Sequence, residues 1–409
     1  MSRRGVTGVV AALVLATVAA CAPATQDGPV TLRWYVGPDR VDVRSLARAC
    51  SSASGGDYTI DVVRLPDDVD ERHSTLVRRL AAQDDSIDLL SLDSAFTTEF
   101  DAAGFLAPIP EELKEPFARD AFPAALEAAS PGGQLAAAPW WSDPYLLWFR
   151  GLAAERAGLD TTKPITWDAL VTGASRVGSS IQIEDVDGQG LPAWIDSLVT
   201  GAGGTLLDGA GRSPRVGLDS DAGRTAADVV RAYAGSDLGP GPSADAVRSF
   251  VTTPGSFLLA PTSVIADPRL ASIAGDMQWT AYPVVEDEPA VPVTGVALAV
   301  PLYAQHTTLS YDAIECLTSD ASMQQMMLSS GHSAARESLY DTREVEAGYP
   351  MAAVARTSMK NGLVLPQTPY WNRVRDALVD TWLPVGDVDD STPAASQRAV
   401  RDEVAGRLR

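Results

Sequence analysis

The segment Val30-Thr31-Leu32-Arg33-Trp34-Tyr35-Val36 alternates in character and is rich in strand formers, which predicts a β-strand over 30–36. Outward from it, helically spaced apolar residues predict a helix over 41–50. Tyr58 to Leu65 reads as a second strand, and Arg72 to Gln83 as a helix with Leu76, Val77 and Leu80 on one side. Ile87-Asp88-Leu89-Leu90-Ser91-Leu92 is a short buried strand ending at Asp93, and Phe96 to Ala103 is a helix closed by Gly104. This β-α-β-α-β-α order predicts the α/β class, with a parallel sheet carrying helices on its faces. Ligands of such sheets lie beyond the carboxyl ends of the strands, the edge where Asp39 and Asp93 fall.

The later chain repeats these signals. Leu135 to Pro139 leads into Trp140-Trp141-Ser142-Asp143-Pro144-Tyr145 and a strand, Leu146 to Phe149, which we take as the first crossing between two lobes. Thr166 is the expected N-cap of a helix. Helices are expected over 192–200, 219–234, 312–329 and 370–383, and short strands over 257–260 and 279–284. Val291 to Val300 reads as a strand that returns to the first lobe. The expected division is 1–20 leader, 21–29 linker, 30–141 with 293–340 as one lobe, and 142–292 with 341–409 as the other.

Of 409 residues, 32 are basic and 53 acidic, a net charge of −21. So acidic a surface repels phosphate backbones and argues against nucleic-acid binding. Arg3 and Arg4 precede an apolar run from Val9 to Ala20, and Val18-Ala19-Ala20-Cys21 follows. That order predicts a signal peptide ending at a lipidated Cys21, with a lipid anchor on the outer face of the membrane. Cleavage leaves 30 basic against 53 acidic residues, a net charge of −23. Of the other cysteines, Cys50 and Cys316 are either two buried thiols or one bridge in an oxidising compartment.

Enzymatic signatures are missing. No lysine follows a glycine, so the chain has no phosphate-binding loop of the nucleotide hydrolases. No metalloprotease His-Glu-x-x-His and no Gly-x-Ser-x-Gly elbow occurs. His73, His306 and His332 lack an acid or nucleophile at a recognisable spacing. Asp185 to Asp196 partly matches a calcium loop, but a strand-to-helix turn is the simpler reading, and neither metal nor other cofactor is expected.

Nine tryptophans, several in turns, carry the functional expectation. An indole offers a flat apolar platform for a sugar ring and an N–H for its hydroxyls. Trp140 and Trp141 are adjacent, so in an extended segment one faces the core and the other a cleft. Loops bearing Asp39, Asp93, Asp143 and Gln189, with Trp194 and Trp371, are expected to join that cleft. Arg40 is the one arginine beside these loops. A non-sugar solute such as a glycerophosphodiester or peptide, and an exported glycosidase with paired carboxylates, are the alternatives.

The order of a lipobox, an α/β lobe, a crossing at Ala138-Pro139-Trp140, a second lobe and a return strand at Thr294 to Val300 resembles the extracellular solute-binding lipoproteins of ATP-driven sugar importers. Trehalose-binding members are the nearest resemblance. It is carried by Ile87 to Asp93, Leu146 to Arg150, Gly190-Leu191 with Trp194, Gly201 to Gly204, Glu315-Cys316-Leu317, and Tyr349-Pro350-Met351. The resemblance implies a periplasmic-binding-protein-like fold with two lobes on a hinge, a Cys50–Cys316 disulfide, and sugar contacts at Asp39, Asp93, Asp143 and Gly295. It further implies a permease with a separate ATPase as partners. The trehalose-binding pattern differs at three places here: it has Asn at the position of Asp143, Trp near Pro261 and Arg near Leu365.

Overall fold

The computed structural model describes residues 28–406 apart from 186–187, 210–213 and 287–288. The expected leader, Cys21, most of the linker and Asp187 lie outside the described residues. The strands, in chain order, begin with β1 (Val30–Val36), β2 (Tyr58–Arg64), β3 (Leu89–Asp93) and β4 (Ala138–Arg150). There follow β5 (Ile181–Glu184), β6 (Leu207–Asp208), β7 (Arg215–Val216) and β8 (Pro242–Ser243). The series closes with β9 (Phe257–Pro261), β10 (Met277–Ala281), β11 (Val291–Ala299) and β12 (Gly362–Leu363).

One sheet runs in the order β2-β1-β3-β11-β4-β9-β5-β8, with β10 on β4 and β12 on β11, while β6 and β7 pair separately. β1 is parallel to β2 and β3, as the strand–helix alternation requires. β4 is the shared element. Its residues up to Pro144 pair antiparallel with β11, and from Tyr145 onward it pairs antiparallel with β9 and β10. β5 and β9 therefore run opposite to β1 and β3. The carboxyl ends of both strand groups converge on Asp143-Pro144-Tyr145.

Alternation along the strands fills two cores, one on each face. Tyr35, Leu90 and Leu147 enter one, while Trp34, Leu89 and Trp148 enter the other. Thr166 caps the helix Trp167–Val177, its Oγ1 accepting the Ala169 N–H at 3.1 Å. Expected boundaries hold within a few residues except at one helix. The span 312–329 is two helices, Thr307–Leu317 and Asp320–Ser330, because Ser319 caps the second by accepting the Ser322 N–H. The strand at the crossing is also longer than expected, since Trp140 to Pro144 extend β4 rather than forming a loop.

Cys50 and Cys316 form a disulfide that ties the helix Val43–Ala53 to Thr307–Leu317. The last two helices, Trp371–Trp382 and Thr392–Val404, pack on Gly190–Gly201 and Asp221–Gly235. The helix Ala352–Lys360 instead packs on β4 and on Pro123–Ala128. Among the described residues no helix is long and apolar enough to cross a membrane.

Candidate functional site

Where the two groups of strand ends meet lies a cavity of about 380 Å³. Asp39 and Arg40 reach it from the loop after β1, and Asp93 from the end of β3. Trp141, Asp143 and Tyr145 border it from β4, Glu184 from the end of β5, and Pro261 and Ser263 from the end of β9. Phe96 adds a second aromatic wall.

The residue that organises this wall is His332. The helix Asp320–Ser330 ends at Gly331, whose φ of 75° is the left-handed cap that glycine adopts without strain. The chain then lies against β4: the Ser142 N–H donates to the Ser333 carbonyl at 2.8 Å, and Trp141 bridges Ala334. His332 is thereby held between two carboxylates. Its Nε2 is 2.8 Å from Asp39 Oδ1 and its Nδ1 is 2.7 Å from Asp143 Oδ2. Asp143 is fully buried, and its Oδ1 accepts the Ser333 N–H at 2.7 Å. The imidazole stacks on the Trp141 indole with centroids 4.0 Å apart.

Burial alone would discharge His332, but the charges of Asp143 and Asp39 and their hydrogen bonds outweigh it and raise its pKa to about 10. Burial likewise opposes ionisation of Asp39, yet His332 and the Val41 and Arg40 N–H groups hold its carboxyl below the usual range. The arrangement is one in which a doubly protonated imidazole donates to an acceptor on each side.

The sequence-expected residues divide. Asp39, Arg40, Asp93, Trp141 and Asp143 border the cavity. Arg40 also pairs with a residue beyond β9, its Nη2 2.8 Å from Asp267 Oδ2. Asp267 is nearly buried and is gripped by Arg269 as well, and despite its burial these partners lower its pKa to about 2. Asp93 Oδ1 accepts the Ala95 N–H at 2.9 Å.

Trp140, Gln189, Trp194, Gly295 and Trp371 do not border the cavity. A register shift between Val296 and Ala297 makes Trp140 the extra residue of a bulge, and its ring packs edge-on against Trp34 in the core. Trp194 lies among Trp167 and Tyr233. Trp371 is fully buried and donates its indole N–H to Gln189 Oε1 at 2.8 Å, which occupies that expected contact within the core. Gly295 lies where β11 approaches β4 closely: a Cβ there would meet the Trp141 carbonyl at 2.7 Å. Its neighbours Thr294 and Val296 reach the cavity instead.

At the calcium-like stretch, Asp185 Oδ1 accepts the Gly190 N–H at 2.7 Å, which ties the turn to the helix start, while Asp196 is buried within that helix. Among the described residues no group of three or more His, Cys, Asp or Glu is placed to hold a metal ion.

His332, Tyr145 and Glu184 are the site residues that sequence reasoning missed. Tyr145 had a signal, since it follows Pro144 at the crossing. His332 had none: its two carboxylates lie 293 and 189 positions away in the chain.

Residues 57–324 match the family model of the bacterial extracellular solute-binding proteins, and the chain belongs to that family. It is 23% identical over 402 residues to a probable ABC transporter-binding protein of Deinococcus radiodurans, covering 90% of this chain and 91% of that one. Among solved structures it is similar to the maltose-bound MalE3 of T. maritima, at a TM-score of 0.78 and 20% identity, over 93% of this chain and all of that one. It is also similar to the GacH receptor of Streptomyces glaucescens, solved unliganded and with acarbose, at a TM-score of 0.77 and 18% identity, over 92% of this chain and 98% of that one. The fold is that of the periplasmic solute-binding proteins, and family membership assigns a binding role rather than an enzymatic one.

Proposed function

We propose that the protein is the substrate-binding lipoprotein of an ABC importer, capturing a saccharide related to trehalose and delivering it to a membrane permease. The observation that carries this reading is the cavity wall itself. Carboxylates of Asp39 and Asp93 stand beside the rings of Trp141, Tyr145 and Phe96, the pairing of acceptors and apolar platforms that a sugar needs. The Trp141 indole N–H has no hydrogen-bond partner among the described residues. Maltose-bound and acarbose-bound neighbours of the same fold support the saccharide class.

In this reading residues 30–141 with 293–340 and residues 142–292 with 341–409 are lobes that rotate about the crossing strands β4 and β11. Ligand stabilises the closed arrangement because it contacts both lobes only there. The closed form docks on the permease, whose separate ATPase supplies the energy, and a lipid on Cys21 keeps the receptor at the membrane. The trehalose pattern has Asn where Asp143 holds His332, which favours a related disaccharide over trehalose itself.

Calorimetry against trehalose, maltose and other disaccharides, glycerophosphodiesters and short peptides tests the proposal. One saccharide bound per chain without product formation is expected. Binding of a phosphodiester or peptide alone, or turnover of a glycoside, would overturn it. Tight trehalose binding would correct the ligand while leaving the class.

A further inference from the structure

Both ring nitrogens of His332 lie within hydrogen-bond distance of a carboxylate oxygen. A neutral imidazole carries one N–H, so one of these contacts would set a lone pair against a carboxylate; only the doubly protonated ring donates to both. Both carboxyls are placed as acceptors: Asp143 Oδ1 takes the Ser333 N–H, and Asp39 Oδ1 takes the Val41 N–H as well as facing Nε2. The face of the ring lies on Trp141, an arrangement in which an imidazolium is attracted to the indole π-cloud.

We infer that His332 is the positioning residue of the binding site: a buried cation that fixes the Asp39 carboxylate and the Trp141 platform at the cavity wall. This deepens the proposed saccharide reading and rests on it for the identity of the ligand.

The geometry explains why the site tolerates so many acids at one edge. Asp39, Asp93, Asp143 and Glu184 border the same cavity, and Arg40 is turned to Asp267. His332 is the cation seated between two of these carboxylates. Asp67, Arg72 and Tyr145 border the cavity as well, and behind His332 lie the Tyr349 hydroxyl, which bonds to Ser333 Oγ and the Gly331 carbonyl, and the Tyr340 hydroxyl, which donates to the Ala334 carbonyl. Burial raises both phenols, so they stay neutral; of the cations that line the cavity, Arg72 donates to the Pro66 and Asp67 carbonyls and Arg40 to Asp267, and His332 is the one that meets Asp39 and Asp143. A sugar then meets carboxylates already aimed and a ring already braced, so fewer groups lose freedom on binding.

The chain has three histidines, so ¹⁵N-histidine labelling of the ligand-free full chain yields three imidazole sets. One set is expected to remain doubly protonated at pH 8.5 and to vanish in His332→Gln, while His306→Gln leaves it in place. Three rings that all titrate between pH 6 and 7 would overturn the inference. In the same ligand-free samples, the Trp141 indole resonance is expected to shift in His332→Gln, and an unmoved resonance counts against positioning. For the saccharide found by calorimetry, His332→Gln should weaken binding roughly tenfold to a hundredfold, the range of a hydrogen bond to a charged group. Wild-type affinity in a folded His332→Gln protein would sink the positioning role while leaving the saccharide proposal intact. Failure of every saccharide would sink that proposal, and the two ligand-free measurements would still decide the role of His332.

Discussion

Trp141 and Trp194 are both buried indoles, yet their surroundings differ in kind. Trp141 lies on an imidazolium clasped by two carboxylates and borders a cavity. Trp194 lies between Trp167 and Tyr233, with centroids 5.6 and 5.4 Å away, inside the core around the helix Gly190–Gly201. The first environment is built from charge and leaves room for a ligand. The second is built from rings and leaves none. Abundant tryptophan therefore speaks first for core mass, and an indole becomes a candidate ligand platform where ionised groups brace it beside open space.

Breaking the ring-packed region should have the largest effect. Trp194→Ala is expected to lower unfolding stability by about 3–5 kcal/mol, measured with denaturant, while the folded fraction keeps its saccharide affinity. A loss no larger than that of Trp141→Ala would remove the contrast between the two environments. Trp141→Ala should invert the pattern, costing about 2 kcal/mol because the site already borders a void, and abolishing most saccharide binding in calorimetry.

A buried acid, Asp196, lies on the same helix as Trp194, and burial raises its carboxyl to about 7. Its unfolded value is near 3.9, so the folded state binds the proton more tightly and stability falls as pH rises from about 4 through about 7. Asp196→Asn should gain about 1–2 kcal/mol at pH 8 and nothing at pH 4, read by thermal unfolding. His332 gives the opposite contrast within the charged region. Its raised pKa contributes stability in full below about 6.5, and that contribution is lost as pH rises through about 10. The smallest effect belongs to Arg40, a third exposed, whose pairing with Asp267 joins the loop after β1 to the segment after β9. A double-mutant cycle on this pair should give about 1 kcal/mol or less, and a larger coupling would mark it as a main closure contact.

Much of the fold was legible. β1 matches its expected span, and Thr166 caps the helix it was expected to cap. These features depend on periodicity and on hydrogen bonds within a few residues. The division among the tryptophans was not legible, since a bulge opposite Val296 and Ala297 selects Trp140 for the core. Neither was the break at Thr318-Ser319, where Ser319 competes with the helix by capping the next one.

Local order along the chain therefore determined the α/β class, the strand ends that carry Asp39 and Asp93, and the crossing at Asp143 to Tyr145. Tertiary structure alone decided which acids share a cation, which indole meets the cavity, and that Arg40 reaches Asp267. Those relations join positions hundreds of residues apart, and they follow from sheet register and burial, which no local pattern encodes.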